Sequence, residues 1–183
     1  MAPMRKPVWV WMAVALFCVP GLAGQSGPDN AALQGKLQPL AAFLGHWKSQ
    51  GEFMKTPYMP AGKVSGDTRC AWSAFRNAMV CDQKIQLPSG PVNQLTIYTF
   101  NPKAGDFEYY TVNFDGGPAQ SGRLTIKGNT WTYSGDKPAA AGETDFRTVN
   151  VFTSAHEVKY EARFSKDGAH WTEMLRGVER RAP

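Results

Sequence analysis

Few residues in this sequence have types and spacings that could do chemistry. The three histidines, His46, His156 and His170, lie far apart, and neither a Cys-x-x-Cys nor a His-Glu-x-x-His run occurs, so no metal is expected. A single histidine can hold haem. His156 and His170, however, are out of phase with the apolar faces of their segments and are expected at an exposed rim. There is no Gly-x-Ser-x-Gly. Ser134-Gly135-Asp136-Lys137 copies Ser-x-x-Lys in letters but sits in a Gly/Pro-rich turn, whereas that chemistry needs its Lys one helical turn after its Ser. Ser165 to Trp171 resembles an Asp-box hairpin with one residue missing and is explained by a plain Asp-Gly turn. Paired carboxylates for acid–base work would have to face inward, but Glu108, Glu157 and Glu161 alternate with apolar residues and should face water. No catalytic residue and no cofactor is assigned.

The cysteines carry the one covalent expectation. Arg5 and Lys6, the apolar run from Val8 to Val19, and small residues around Gly21 to Gly24 make residues 1–24 a cleaved secretory signal. Twelve apolar residues between Pro7 and Pro20 are too few to span a bilayer, which takes about 20. Phe17 before Cys18 argues against a lipoprotein site. The chain is therefore read as exported, periplasmic or secreted, with no stable membrane insertion after cleavage. Cys70 and Cys81 then remain, in an oxidising compartment. A turn centred between Phe75 and Arg76 puts them directly opposite on paired strands, close enough for a disulfide.

Of 183 residues, 43% are hydrophobic and 19% charged, which is enough for one packed domain, taken as residues 25–183. Removing the signal leaves 18 basic against 15 acidic residues, about +3, too mild and too unclustered for nucleic acid. The 18 Gly, 13 Pro, 10 Phe, 6 Trp and 6 Tyr favour turns and pleated surfaces. Asn30 is expected to cap a short helix carrying Leu33, Leu37, Leu40, Ala41 and Leu44 on one face. Beyond Gly45 the period is two. Expected strands are Gly45 to Phe53, Val64 to Ser73, Ala78 to Leu87, Gln94 to Phe100, Phe107 to Phe114, Arg123 to Lys127, Thr130 to Tyr133, Phe146 to Phe152, His156 to Phe164 and Trp171 to Val178. Short Gly- and Asn-containing connections make neighbours antiparallel. A meander of about ten strands favours a barrel over a sandwich.

Leu40 to Trp47, with its Gly-x-Trp, the Asn101 to Phe107 hairpin, the Phe114 to Gly117 turn, and Phe164 to Trp171 leading to a terminal Arg together resemble the bacterial lipocalin-like family DUF1579 over about residues 38–181. The resemblance implies an all-β, antiparallel lipocalin-like barrel with a short N-terminal helix. It also implies that Trp47 packs at the closed end under a cation from the last strand, assigned to Arg180, a contact worth roughly 0.5–2 kcal/mol. It transfers no activity.

With Trp47 inward, parity turns Phe53 inward. The apolar faces of later strands add Tyr110, Val112 and Phe114, then Tyr160 and Phe164, while Tyr98, Phe100, Trp131 and Tyr133 could join the same lining. Such a lining suits a small hydrophobic or amphipathic ligand oriented by phenol hydroxyls, or else simply fills the core. Three classes of function stay open: a secreted small-molecule binder, placed first; a structural or partner-binding envelope protein with a filled barrel; and an enzyme, haem-linked or using a polar residue of the cavity. An incompletely closed barrel would leave a strand edge for a homodimer.

Overall fold

The computed structural model describes residues 28–135 and 144–183. The signal read at 1–24, with Cys18, and Asp136 and Lys137 of the Ser-x-x-Lys run lie outside the described residues. Helix α1 (Pro28–Leu37) passes into a 3₁₀ turn (Gln38–Phe43), with Pro39 at its start. Asn30, expected at the helix start, lies within the span of α1. The missing N–H of Pro39 is harmless at the first turn of the new 3₁₀ segment, which is why the apolar face continues past it.

Ten strands follow: β1 (Gly45–Phe53), β2 (Gly62–Trp72), β3 (Met79–Leu87), β4 (Gly90–Asn101), β5 (Asp106–Asn113), β6 (Gln120–Lys127), β7 (Thr130–Gly135), β8 (Asp145–Ser154), β9 (Glu157–Ser165) and β10 (Thr172–Arg181). Each pairs antiparallel with the next, and β1 pairs with both β2 and β10, closing a ten-stranded antiparallel barrel. Among the described residues each strand has a partner on both sides, so the ring is closed rather than open at an edge.

The β2–β3 hairpin places Cys70 opposite Cys81, and the two are joined by a disulfide with Cα atoms 4.1 Å apart. At the tip, Ser73 Oγ accepts the N–H groups of Asn77 and Ala78, which fixes the turn.

Inward positions sort by height. One apolar cluster, which includes Leu37, Leu40, Phe43, Trp47, Met79, Leu124, Trp131 and Val158, closes the end under the helix. A second, built on Phe53, Val64, Phe164 and Met174, lies at the opposite mouth. The inward positions between them are mostly polar.

Candidate functional site

The floor is built first, because it decides which way every later residue faces. Trp47 is fully buried, its Nε1 donates to the Phe43 carbonyl at 2.9 Å, and its ring stacks on Phe43 at 5.2 Å. Trp131 and Phe152 complete the layer, with centroids 5.0 Å apart. The cation over Trp47 is Arg181, 4.4 Å above the ring, and not Arg180. Glu179 faces inward, so alternation turns Arg181 inward and sends Arg180 outside, where it pairs with Glu157 at 3.0 Å. Arg181 also donates to the carbonyls of Leu44, Ala42 and Ala155, tying the 3₁₀ turn to the barrel. Gly45 has φ +101°, and a Cβ there would meet the Arg181 guanidinium at 2.7 Å. Both the backbone and the clasp thus require the glycine of Gly-x-Trp.

Above the floor runs the polar belt. Thr68, Thr96, Thr111, Asn150 and Glu179 are buried and face inward. Thr96 Oγ1 donates to Gln83 Oε1 at 2.8 Å and shares a hydrogen with Thr111 at 2.9 Å, and Gln94 Nε2 donates to the same Gln83 oxygen at 2.8 Å. Tyr98 and Tyr109 each meet the Tyr133 ring edge-on, at 6.3 and 5.6 Å. The Tyr133 hydroxyl donates to Tyr98, and burial pushes both phenols well above their usual range. Tyr160 accepts from Ser49 and is pushed up to about 12 by burial. Its ring lies against Gly51 and Gly177, which face each other across β1 and β10; a Cβ on either would run into the Tyr160 hydroxyl.

Glu179 is the feature that sequence reading missed. Among the described strand residues it is the one carboxylate that alternation turns into the lumen. Burial raises its pKa to about 7, opposed by a hydrogen bond from Thr68. The expected last strand stopped at Val178, so the residue was never phased. A bulge between Glu173 and Leu175 also shifts the alternation along β10. Asn150 is 8% exposed, stands between inward-facing Trp131 and Tyr160 in the ladder, and its Oδ1 has no hydrogen-bond partner. This arrangement can accept hydrogen bonds, and among the described residues no histidine faces it.

The mouth is apolar. Met59, in the connection between β1 and β2, packs on the Phe53–Phe164 cluster, and Tyr58 meets Phe164 at 5.2 Å and Phe146 at 5.5 Å. Tyr58 also bonds Thr144 Oγ1 at 2.7 Å, so this connection crosses the opening. Inward Gln83, Ile85, Gln94, Tyr109, Thr148 and Tyr160 are half-buried. Two grooves, of about 1220 and 610 Å³, lie on the outer wall among mixed charges such as Glu52, Lys63, Lys159, Arg176 and Lys48, Asp67, Arg180.

Of the expected lining, Phe53, Tyr98, Trp131, Tyr160 and Phe164 face inward, Trp131 as part of the floor. Tyr110 and Phe114 do not. Together with Val112 they lie on the outer wall, 45% and 64% exposed, while Tyr109, Thr111 and Asn113 take the inner face of β5. The outer face of this strand carries Glu108, Tyr110 and Val112, so a run of large side chains there does not mark the inner face. His46 faces outward and bonds Asp67 at 2.9 Å, holding that carboxyl below its usual range. His156 and His170 are exposed in turns, His170 bonding Asp167 at 2.7 Å. Among the described residues no three His, Cys, Asp or Glu side chains gather to hold a metal.

No curated protein matches the chain in sequence. Solved structures match it in fold, three of them as follows. Rv2717c from M. tuberculosis is 16% identical, with TM-score 0.56, covering 81% of this chain and 98% of that one. The S-type phycobiliprotein lyase CPES from Guillardia theta is 8% identical, with TM-score 0.55, covering 80% and 92%. A protein of unknown function from the DUF3598 family, from Nostoc punctiforme, is 13% identical, with TM-score 0.52, covering 78% of this chain but 48% of that one. At such identities the likeness is one of fold. The Gly-x-Trp floor, the hairpins and the terminal arginine fall within residues 33–181, the span matched by the model described as DUF1579, protein of unknown function, and the chain belongs to that family.

Proposed function

We propose that this barrel is an exported, non-catalytic binder of a small amphipathic molecule, held in the lumen. The observation that carries the reading is the layering of the interior, with a belt of hydroxyls, amides and one carboxyl between two apolar clusters. A barrel that only had to be stable would do better with an apolar middle, since each buried polar group must be paired or costs about 1–3 kcal/mol. Polar groups at mid-height suit a ligand that brings its own polar end to them. Phe53 and Phe164 would contact its apolar part near the mouth, Tyr98 and Tyr160 would orient its polar end, and Trp131 would act as floor. The barrel shared with a phycobiliprotein lyase is compatible with this reading. Export rests on the signal at residues 1–24 and on the Cys70–Cys81 bridge, which persists in oxidising compartments. The described residues include no helix long and apolar enough to cross a membrane.

The test is mass spectrometry of an organic extract of protein isolated from its native compartment. A small organic compound at near-stoichiometric amount is the expected result. Repeated emptiness, together with failure to bind any small amphiphile added back, would sink the reading. A second reading, a partner-binding envelope protein, is favoured by the exposed Tyr110, Val112 and Phe114 stripe.

A further inference from the structure

The belt holds an imbalance. Acceptors outnumber charges that could satisfy them, because the inward cation, Arg181, is committed at the floor to Trp47 and to three carbonyl oxygens. Glu179 receives one bond, from Thr68, and Asn150 Oδ1 receives none although it is nine-tenths buried. A carboxylate in such a place is costly unless a cation or several donors meet it. Among the described strand residues no other cation faces inward beside it. Its ladder partners are Ser49 from β1 and Val158 from β9, Thr68 from β2 hydrogen-bonds it, the phenols of Tyr98, Tyr133 and Tyr160 lie within reach of its charge, and Asn150 stands opposite Tyr160 on the same inner face. The phenols among them with shifted values, Tyr98, Tyr133 and Tyr160, are all moved upward, so they stay neutral through the physiological range.

We infer that the lumen ligand is an organic cation, a protonated amine or amidinium on an apolar body, whose charged N–H groups bond the Glu179 carboxylate while Asn150 Oδ1 accepts a further donor hydrogen. The inference rests on the lumen-binding reading and adds the chemistry of the ligand's polar end. Faces of Tyr98, Tyr133 and Tyr160 around the belt suit a cation for the further reason that aromatic rings present negative potential there. An anionic ligand would meet Glu179 as a like charge, with no inward cation free to compensate.

The test uses three probes of equal length, n-hexylammonium, 1-hexanol and hexanoate, titrated calorimetrically into the disulfide-intact protein. Charge-assisted hydrogen bonds are about twice as strong as neutral ones, so hexylammonium should bind roughly tenfold or more tighter than hexanol, with hexanoate weakest. In Glu179→Gln the preference for hexylammonium over hexanol should vanish. A pH series on the unaltered protein gives the same test without a mutation. Glu179 is about half ionised near pH 7, so hexylammonium affinity should fall as pH drops from 8.5 to 5.5 while hexanol affinity stays level. If hexanol binds and hexylammonium is no tighter at pH 8.5, or if Glu179→Gln keeps the preference, the cation inference is overturned and lumen binding stands. If none of the three binds, both fall.

Discussion

Arg180 and Arg181 are adjacent and chemically identical, yet a half-turn of the pleat separates a surface ion pair from the fastening of the barrel base. Arg181→Ala removes the contact to Trp47 and strands the carbonyls of Ala42, Leu44 and Ala155, and should cost roughly 2–4 kcal/mol in urea unfolding. Arg180→Ala breaks an exposed pair with Glu157 and should cost less than about 1 kcal/mol. Equal losses would refute the assignment. Glu179 makes a pH prediction whose sign follows from its raised pKa. The unfolded carboxyl ionises near its ordinary value of 4.5 and the folded one near 7, so between these values the native state holds the extra proton. Stability therefore declines as pH rises from about 4.5 through 7, by roughly 3 kcal/mol in total at 1.4 kcal/mol per unit. Glu179→Gln should be the more stable protein at pH 8 and show a flatter profile from pH 5 to 8. Urea midpoints at the two pH values decide it, and an unchanged slope in the variant would show that another group is responsible.

Among the elements, the β2–β3 hairpin was legible from residue types because its constraint is local. Two cysteines equidistant from a turn centre must share a face and a ladder position, and they do. Opening this short loop by Cys70→Ala with Cys81→Ala should cost roughly 2–3 kcal/mol, and a thermal melt of the oxidised protein with and without reductant should show the same loss. A reductant-insensitive melt would refute the expectation. Strands β5 and β10 were misread for opposite reasons. In β5 both faces carry large side chains, and hydrophobicity chose Tyr110, Val112 and Phe114, whereas Tyr109, Thr111 and Asn113 face inward. In β10 the bulge at Glu173/Leu175 resets the alternation, so no constant period connects Trp171 to Glu179.

For the molecule as a whole, closure replaces edges with walls. With β1 paired on both sides, the outer surface is the face open to association, and there Tyr110, Val112 and Phe114 form an exposed stripe with Leu95 paired opposite Val112. Phe114→Ser should leave unfolding free energy within about 0.5 kcal/mol, as surface changes do, while lowering any self-association seen in concentration-dependent light scattering. A large stability loss would mean that the ring is packed and the stripe is not a free surface.

Composition, period-two alternation and Gly-rich connections determined the strand count, the antiparallel order and the disulfide, because each depends on neighbours in sequence. The floor cation, the inner face of β5 and the buried carboxyl of Glu179 were decided by tertiary structure. Each depends on which face of a strand looks inward, and in a barrel that is set by ring closure and by bulges. A polar interior removes the hydrophobic cue that would otherwise reveal the phase, so the residues around which function is proposed were the ones hardest to read in advance.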